Sequence, residues 1–408
     1  MNEKYYCGLD IGSYKTKACL LKFKDQGSEE LVGIYETETQ GFKNASVTDL
    51  VELSESVHLA INGLSRKTGI RLKQIQLGIN GGLVEIRQVS TEIPLADRGH
   101  KVITLRDLNK VNHQARLLGV KMEEEILHDL PQFYQVDDVN SALNPVGLYG
   151  RKLGVKSLLV VVRVNMLRNM VKAVNNAGYD VENTFWGSYA ASDIVLTEEE
   201  KKQGCILIDI GAGVSSILVF KDKVLKDMIR ISLGGDLLTH KIAQSVQLSF
   251  QLADEIKRSY AVVFDHSKFN EEEILVKREN AYIPIKRELV CQSIEPEVGQ
   301  LVELIHEKIF SCGLYEQMHH NIVIIGGGAL LSGLIERISQ KTNCSANLGQ
   351  FRAVTQKSWG NTALYATVVG LAFNGYVRGR DRLFSSSRKT HWVKKALDRV
   401  VDIYQEYF

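Results

Sequence analysis

Two aspartates, Asp10 and Asp209, each precede a glycine by two residues at the end of an apolar run, and they lie 199 residues apart. The segments read Gly8-Leu9-Asp10-Ile11-Gly12-Ser13 and Ile208-Asp209-Ile210-Gly211-Ala212-Gly213. A third loop, Ile324-Ile325-Gly326-Gly327-Gly328-Ala329-Leu330, follows. Glycine lets backbone N–H groups approach an anion closely. One carboxylate per loop suits a Mg²⁺ held mainly through water. A repeated strand–Asp–Gly turn therefore points to two similar halves closing on one phosphate-bearing ligand. The spacing carries no G-x-x-x-x-G-K-[ST] pattern, which argues against a P-loop. Neither later loop has the G-x-G-x-x-G of a dinucleotide site.

The elements that must hold these loops can be read from the surrounding pattern. Tyr5-Tyr6-Cys7, Cys205–Ile208 and Ile322–Ile325 read as buried strands entering turns. A helix is expected from Thr48 to about Lys67, with acids in its first turn and Gly69 at its end. Further helices are expected near Arg106–Leu118, Met166–Ala177 and Tyr189–Val195, over 236–263 and 287–312, and at Leu331–Ser339 and Thr362–Phe373. The run Glu198–Lys202 reads as a polar loop. Short strand–turn–strand units and helices in both halves indicate an α/β protein. The expected division is 1–83, an inserted α+β subdomain at 84–157, a return at 158–197, then 198–226 with 306–359. Residues 227–305 form a further subdomain, 360–376 return to the first, 377–390 are a basic linker, and 391–408 a terminal helix.

Composition sets outer limits. Charged residues are 24% and hydrophobic ones 44%, ordinary for a globular protein of 408 residues and more than one domain. A net charge of +2 gives no global attraction to nucleic acid, and none is expected as a partner. The six cysteines are scattered without a C-x-x-C pair and read as reduced core thiols of a cytosolic protein. No apolar run reaches the roughly 18–20 residues that span a bilayer.

The two Asp-Gly loops, Gly234-Gly235 and Gly326–Gly328 resemble the actin/Hsp70/sugar-kinase superfamily. Leu127–Pro131, Asn144–Gly150 and Asp254–Lys257 are similar more narrowly to the FtsA family of bacterial division proteins, over essentially residues 4–408. The resemblance implies an actin-like two-domain fold with duplicated RNase H-like halves around a nucleotide cleft, binding ATP with Mg²⁺. It makes 1–83, 158–197 and 360–376 subdomain 1A, the insertion 1C-like, 198–226 with 306–359 subdomain 2A, and 227–305 subdomain 2B. Asp10 and Asp209 would orient the metal and its waters. Gly12, Ser13, Lys15, Gly211, Gly213 and Ser215 would line the phosphates, with Gly234 and Gly235 beneath them. Asp254 and Lys257 would reach ribose and base, and Gly326, Gly327 and Gly328 would flank the adenine. Relatives usually continue the second loop as Gly-Gly-Gly-Thr-Thr-Asp, whereas this chain has Gly211-Ala212-Gly213-Val214-Ser215-Ser216. Ser216 and Gly187 stand where a water-positioning group is common, so hydrolysis is expected to be slow or absent.

On a terminal helix, Trp392, Val393, Leu397, Val400, Val401, Tyr404, Tyr407 and Phe408 would share one face. Its approach, 377–399, has eight Lys/Arg against two Asp, a net +6. That pattern suits the surface of an anionic membrane, and the alternative is a last helix docked on the body. The family resemblance implies a membrane-targeting helix, self-assembly into filaments, and capture of the acidic C-terminal peptide of FtsZ by the subdomain 226–305. It also implies other division proteins bound through the insertion, and a place on the cytoplasmic face of the membrane at the division site. Lys286 and Arg287 would favour the acidic peptide, and Glu297 would repel it. A small-molecule kinase and a pilus-assembly scaffold are the competing readings.

Overall fold

The apolar lead-ins to the first two loops become the central strands of two five-stranded sheets. A computed structural model of the chain describes residues 3–24, 29–43, 45–96, 99–137, 140–263, 272–278, 281–315, 321–352 and 360–380. In the first sheet, Lys4–Ile11 pairs antiparallel with Lys15–Phe23 and parallel with Gln74–Ile79. In the second, Cys205–Ile210 pairs antiparallel with Ser215–Lys221 and parallel with Asn321–Ile325. Glu29–Glu38 and Asp180–Trp186 complete the first sheet; Val224–Ile231 and Ser345–Leu348 complete the second. Each central strand is thus antiparallel to the strand that follows it and parallel to a later one. The two halves share one topology.

Among the described residues the helices are, in chain order, α1 Leu50–Thr68, α2 Leu105–Gly119, α3 Val164–Asn176, α4 Gly187–Val195 and α5 Glu198–Gln203. They continue with α6 Gly235–Ser245, α7 Phe250–Tyr260, α8 Arg287–Ser311, α9 Leu334–Thr342 and α10, residues 362–380. α1 starts where the Asp49 carboxylate accepts from the Val51 and Glu52 N–H groups, and it ends at left-handed Gly69. Residues 236–263 split into α6 and α7, because Ser249 caps a new helix. The expected polar loop at 198–202 is instead α5. Thr197 and Glu200 cap each other's backbone N–H groups there, which satisfies the exposed end without any apolar face. The expected start of the basic linker also moves, because α10 runs through 377–380.

α10 lies directly on the first sheet. A Cβ on Gly8 would fall 2.2 Å from the Val368 carbonyl oxygen, and one on Gly370 would fall 2.3 Å from that of Ala190 in α4. Those small residues let one helix touch both the strand carrying Asp10 and the helix α4. The principal core then runs without interruption through both halves, from Leu9, Leu20 and Leu77 to Leu207, Leu218 and Phe220.

The insertion is a sheet in the order Asn140–Ala142, Glu124–Val136, Lys152–Arg163, Val84–Pro94, covered by α2. Its own small core contains Ile93, Val111, Tyr134, Leu153 and Val155. The strand Lys152–Arg163 crosses the expected boundary at 157/158. Leu153 and Val155 belong to the insertion's core, whereas Leu158, Val160 and Val162 belong to the principal one. A register shift between Lys156 and Ser157 marks the change. Among the described residues no helix is long and apolar enough to cross a membrane.

Candidate functional site

Asp10 and Asp209 occupy equivalent points, one residue before the end of their strands. Each following turn closes in the same way: Gly12 N–H donates to the Lys15 carbonyl, and Gly211 N–H to that of Val214, both at 3.1 Å. The two turns face each other. A Cβ on Gly213 would stand 3.9 Å from Ser13 Oγ, so only a narrow gap separates the two loops there.

Burial dominates the electrostatics of that space. It pushes the Asp10 carboxyl up to about 6; Lys17 opposes the shift and Asp209 adds to it. Burial also raises Asp209, against a 2.7 Å hydrogen bond from Ser188 Oγ to its Oδ2 and the charge of Lys17. The Lys17 ammonium is lowered by burial and sustained by Asp10 and Glu36. It donates to the Leu364 carbonyl at 2.8 Å. Two partly buried carboxylates facing one lysine leave uncompensated negative charge, which a divalent cation would offset. Among the described residues no three His, Cys, Asp or Glu side chains gather as an all-protein metal cage. The donor set would suit a hydrated Mg²⁺.

Lys15 was expected at the phosphates, yet its ammonium lies 3.5 Å from Glu36 on the neighbouring strand. Lys17 was not among the expected residues. The hairpin register places Lys17 beside Asp10: with Gly12 bonded to Lys15, residue 10 falls opposite residue 17. Ser215 was expected among the phosphates, but its buried hydroxyl donates to the Leu233 carbonyl at 2.7 Å. It therefore holds the backbone that leads into Gly234 and Gly235. Those glycines pass under the second loop, with Gly235 N–H on Gly211 O at 3.0 Å and Asp236 N–H on Ala212 O at 2.8 Å. A Cβ on Gly234 would lie 2.4 Å from Ala212 O.

The third loop seals the other side. Gly326 has φ +89°, and its Cβ would meet Ile210 O at 2.4 Å and Asp209 Oδ1 at 2.7 Å. Gly327 and Gly328 open the short 3₁₀ turn Gly327–Leu330, and a Cβ on Gly328 would strike Ile210. Across the cleft, Asp254 and Lys257 bond each other at 2.8 Å, and Lys257 Nζ also donates to Gly235 O at 2.9 Å and to Thr239. Arg258 lies 4.6 Å over the Tyr14 ring, joining α7 to the first loop. The Tyr14 phenol is pushed up to about 12 by burial and by the Asp254 carboxylate.

Two family models match the chain: "Cell division protein FtsA" over residues 206–370, and "SHS2 domain inserted in FTSA" over residues 81–161. The chain is 27% identical over 388 residues to a cell division protein FtsA of Pseudomonas aeruginosa, covering 94% of this chain and 92% of the relative. The chain belongs to the FtsA family. Its fold is actin-like. It is similar to a chain of the PilM–PilN type IV pilus biogenesis complex at TM-score 0.67, with 17% identity, 91% of this chain and 98% of that one covered. It is also similar to MreB 5 of Spiroplasma citri bound to AMPPNP at TM-score 0.53, with 10% identity and coverages of 94% and 99%.

The family's insertion model covers the sheet-and-α2 unit described above. The residues chosen for a partner peptide do not converge. Lys286 is exposed at the start of α8, whereas Arg287 donates to Tyr260 O at 2.8 Å and pairs with Glu272 at 2.6 Å. Glu297 lies ten residues further along α8, roughly 15 Å away. Its carboxylate is 13% exposed and pairs with Lys241 of α6 at 2.9 Å. The expected repulsion of an acidic peptide by Glu297 therefore has no exposed charge behind it. Trp392, Val393, Leu397, Val400, Val401, Tyr404, Tyr407 and Phe408 lie outside the described residues.

Proposed function

We propose that this division protein binds ATP with Mg²⁺ between its two glycine turns, assembles with copies of itself, and tethers FtsZ filaments to the cytoplasmic face of the membrane. The observation that carries the nucleotide reading is the pair of turns with matching register and closure whose partly buried aspartates share one lysine. Backbone N–H groups of the first and second turns cradle the phosphates, and Lys17 supplies a fixed positive charge toward them. Asp10 and Asp209 hold the metal's waters, and Ser188 holds Asp209. A bound Mg²⁺ would offset the charge that these carboxylates and the phosphates bring together. Lys257 and Asp254, locked to α6, form the rim on the ribose and base side. Gly326 and Gly328 let the third loop close onto Ile210, and the family resemblance puts the adenine beside that loop.

Slow turnover follows from what surrounds the expected γ-phosphate. Ser216 is buried against the backbone of Gly81, and Ser188 is committed to Asp209. Neither is a general base. ATP then acts as a clamp that joins the halves and favours the assembled form. The cationic approach at 377–399 and the apolar residues of 391–408 support membrane attachment. A single such helix binds weakly, so several copies on a filament would be needed. Exposed Leu143, Leu148 and Tyr149 on the insertion support its role as a contact surface for other division proteins.

The test is flotation with anionic liposomes and FtsZ, comparing the full chain with one truncated after Thr390. Flotation of FtsZ with the full chain alone supports the adaptor. Loss of FtsZ from a floating full chain removes FtsZ as partner, and failure of the full chain to float removes the membrane role.

A further inference from the structure

One side chain of the insertion reaches the machinery around Asp209. His128 lies on the strand Glu124–Val136, opposite Val160 and beside the register shift at Val160/Val161. Its imidazole packs between the rings of Phe185 and Tyr189, at 6.2 and 5.0 Å. Its Nε2 accepts the Trp186 backbone N–H at 2.9 Å. Trp186 is the N-cap of α4, and its own side chain makes no capping hydrogen bond there. Two residues later Ser188 donates to Asp209 Oδ2 at 2.7 Å. The path from the insertion to the second aspartate is therefore two hydrogen bonds and one helix start.

The acceptor role requires a neutral ring with its lone pair on Nε2. Burial, aided by Arg378 and opposed by Asp193, depresses His128 to about 4, so the ring is neutral at physiological pH. A second feature fixes the same region. Gln132, on the same strand, donates to the Leu225 carbonyl of the second half at 2.8 Å, so the strand touches both halves.

We infer that His128 is a positioning residue through which the insertion sets the Asp209 carboxylate and hence the metal-dependent part of nucleotide affinity. The inference rests on the ATP reading above. A partner that shifts the insertion would thereby change how tightly the cleft holds its ligand.

The test uses the full chain, titrated calorimetrically with ATP in excess Mg²⁺ and again in EDTA. His128→Phe keeps an aromatic ring and removes the acceptor. His128→Gln can place an amide oxygen near Nε2, whereas the oxygen of His128→Asn stops short. Affinity for ATP with Mg²⁺ should fall about tenfold in His128→Phe and His128→Asn and stay within about threefold in His128→Gln. Affinity in EDTA should not distinguish the variants. Ser188→Ala should reproduce the loss, and the double variant with His128→Asn should lose little more. Equal affinity of wild type and His128→Asn overturns the inference, as does equal loss with Gln and Asn. If His128→Phe does not fold, His128→Asn and the Ser188 cycle decide the matter. If wild type itself fails to bind ATP, the nucleotide reading falls and this inference falls with it.

Discussion

The first and second turns share a backbone and differ in chemistry. In both, an aspartate precedes a glycine whose N–H closes onto the residue three ahead. Position for position, Thr16 and Lys17 of the first turn match Ser215 and Ser216 of the second, since Asp10 faces Lys17 and Asp209 faces Ser216. The first half thus contributes a partly buried positive charge. The second contributes small hydroxyls and space, and its aspartate takes a serine from α4 instead. Duplication preserved the scaffold that aims a carboxylate. It left the charge on one side.

Exchanging the two chemistries gives the largest expected effect. Ser216→Lys would put a lysine where a 3% exposed serine abuts Gly81 and its neighbours. Overpacking and an unpaired buried charge should together cost several kcal/mol, seen as loss of a cooperative melt or a fall of at least about 10 °C in Tm. An unchanged melt would mean that the second turn can carry charge after all.

Gly326→Val comes next. At φ +89°, any side chain is strained, and this one would enter Ile210 O and Asp209. ATP affinity should drop by roughly a hundredfold or more, with a stability loss of about 2–3 kcal/mol. A calorimetric titration beside a denaturant melt separates the two.

The third contrast sets the two lysines of the first turn against each other. Lys17→Met should weaken ATP binding by roughly 10- to 150-fold, the range of about 1.5–3 kcal/mol for a hydrogen bond to a charged group. Lys15→Met should cost less than about threefold, because its ammonium is engaged with Glu36 at the surface. The reverse order would restore Lys15 as the phosphate lysine.

That contrast also shows what a sequence carries and what it hides. Asp10, Asp209 and the three glycine loops were legible because an apolar strand running into glycine is a local pattern. Lys15 and Lys17 share one strand face, so period alone could not separate them. The register set by the Gly12–Lys15 hydrogen bond does, and it was available from the turn length. α5 was hidden because Glu198–Gln203 has no apolar stripe, although the Thr197–Glu200 capping pair stood in the sequence. Glu297, next to Pro296, was expected to repel an acidic peptide on the strength of its charge alone. α8 runs straight through that proline and turns the carboxylate toward Lys241. His128 and Ser188 had no pattern at all, since their partners are a backbone N–H and an aspartate brought close by tertiary folding alone.

The smallest contrast is between the buried hydroxyls, and it separates stability from binding. Thr16 shares a 2.8 Å hydrogen bond with Thr39 within the first half, a contact that leads away from the ligand space. Ser215 donates to Leu233, whose chain continues at once into Gly234 and Gly235 beneath the second turn. Each change, Thr16→Val or Ser215→Ala, should cost about 1 kcal/mol of stability through one lost buried hydrogen bond. Only Ser215→Ala should also weaken ATP, by about three- to tenfold, because a loosened Leu233 lets Gly235 drift from its bond to Gly211. Matching stability losses with unequal affinities would show that the second half controls its ligand through backbone placement. Equal affinities would mean that Gly234 and Gly235 are held firmly enough by their own bonds to the second turn, and the hydroxyl of Ser215 would then be a core contact like that of Thr16.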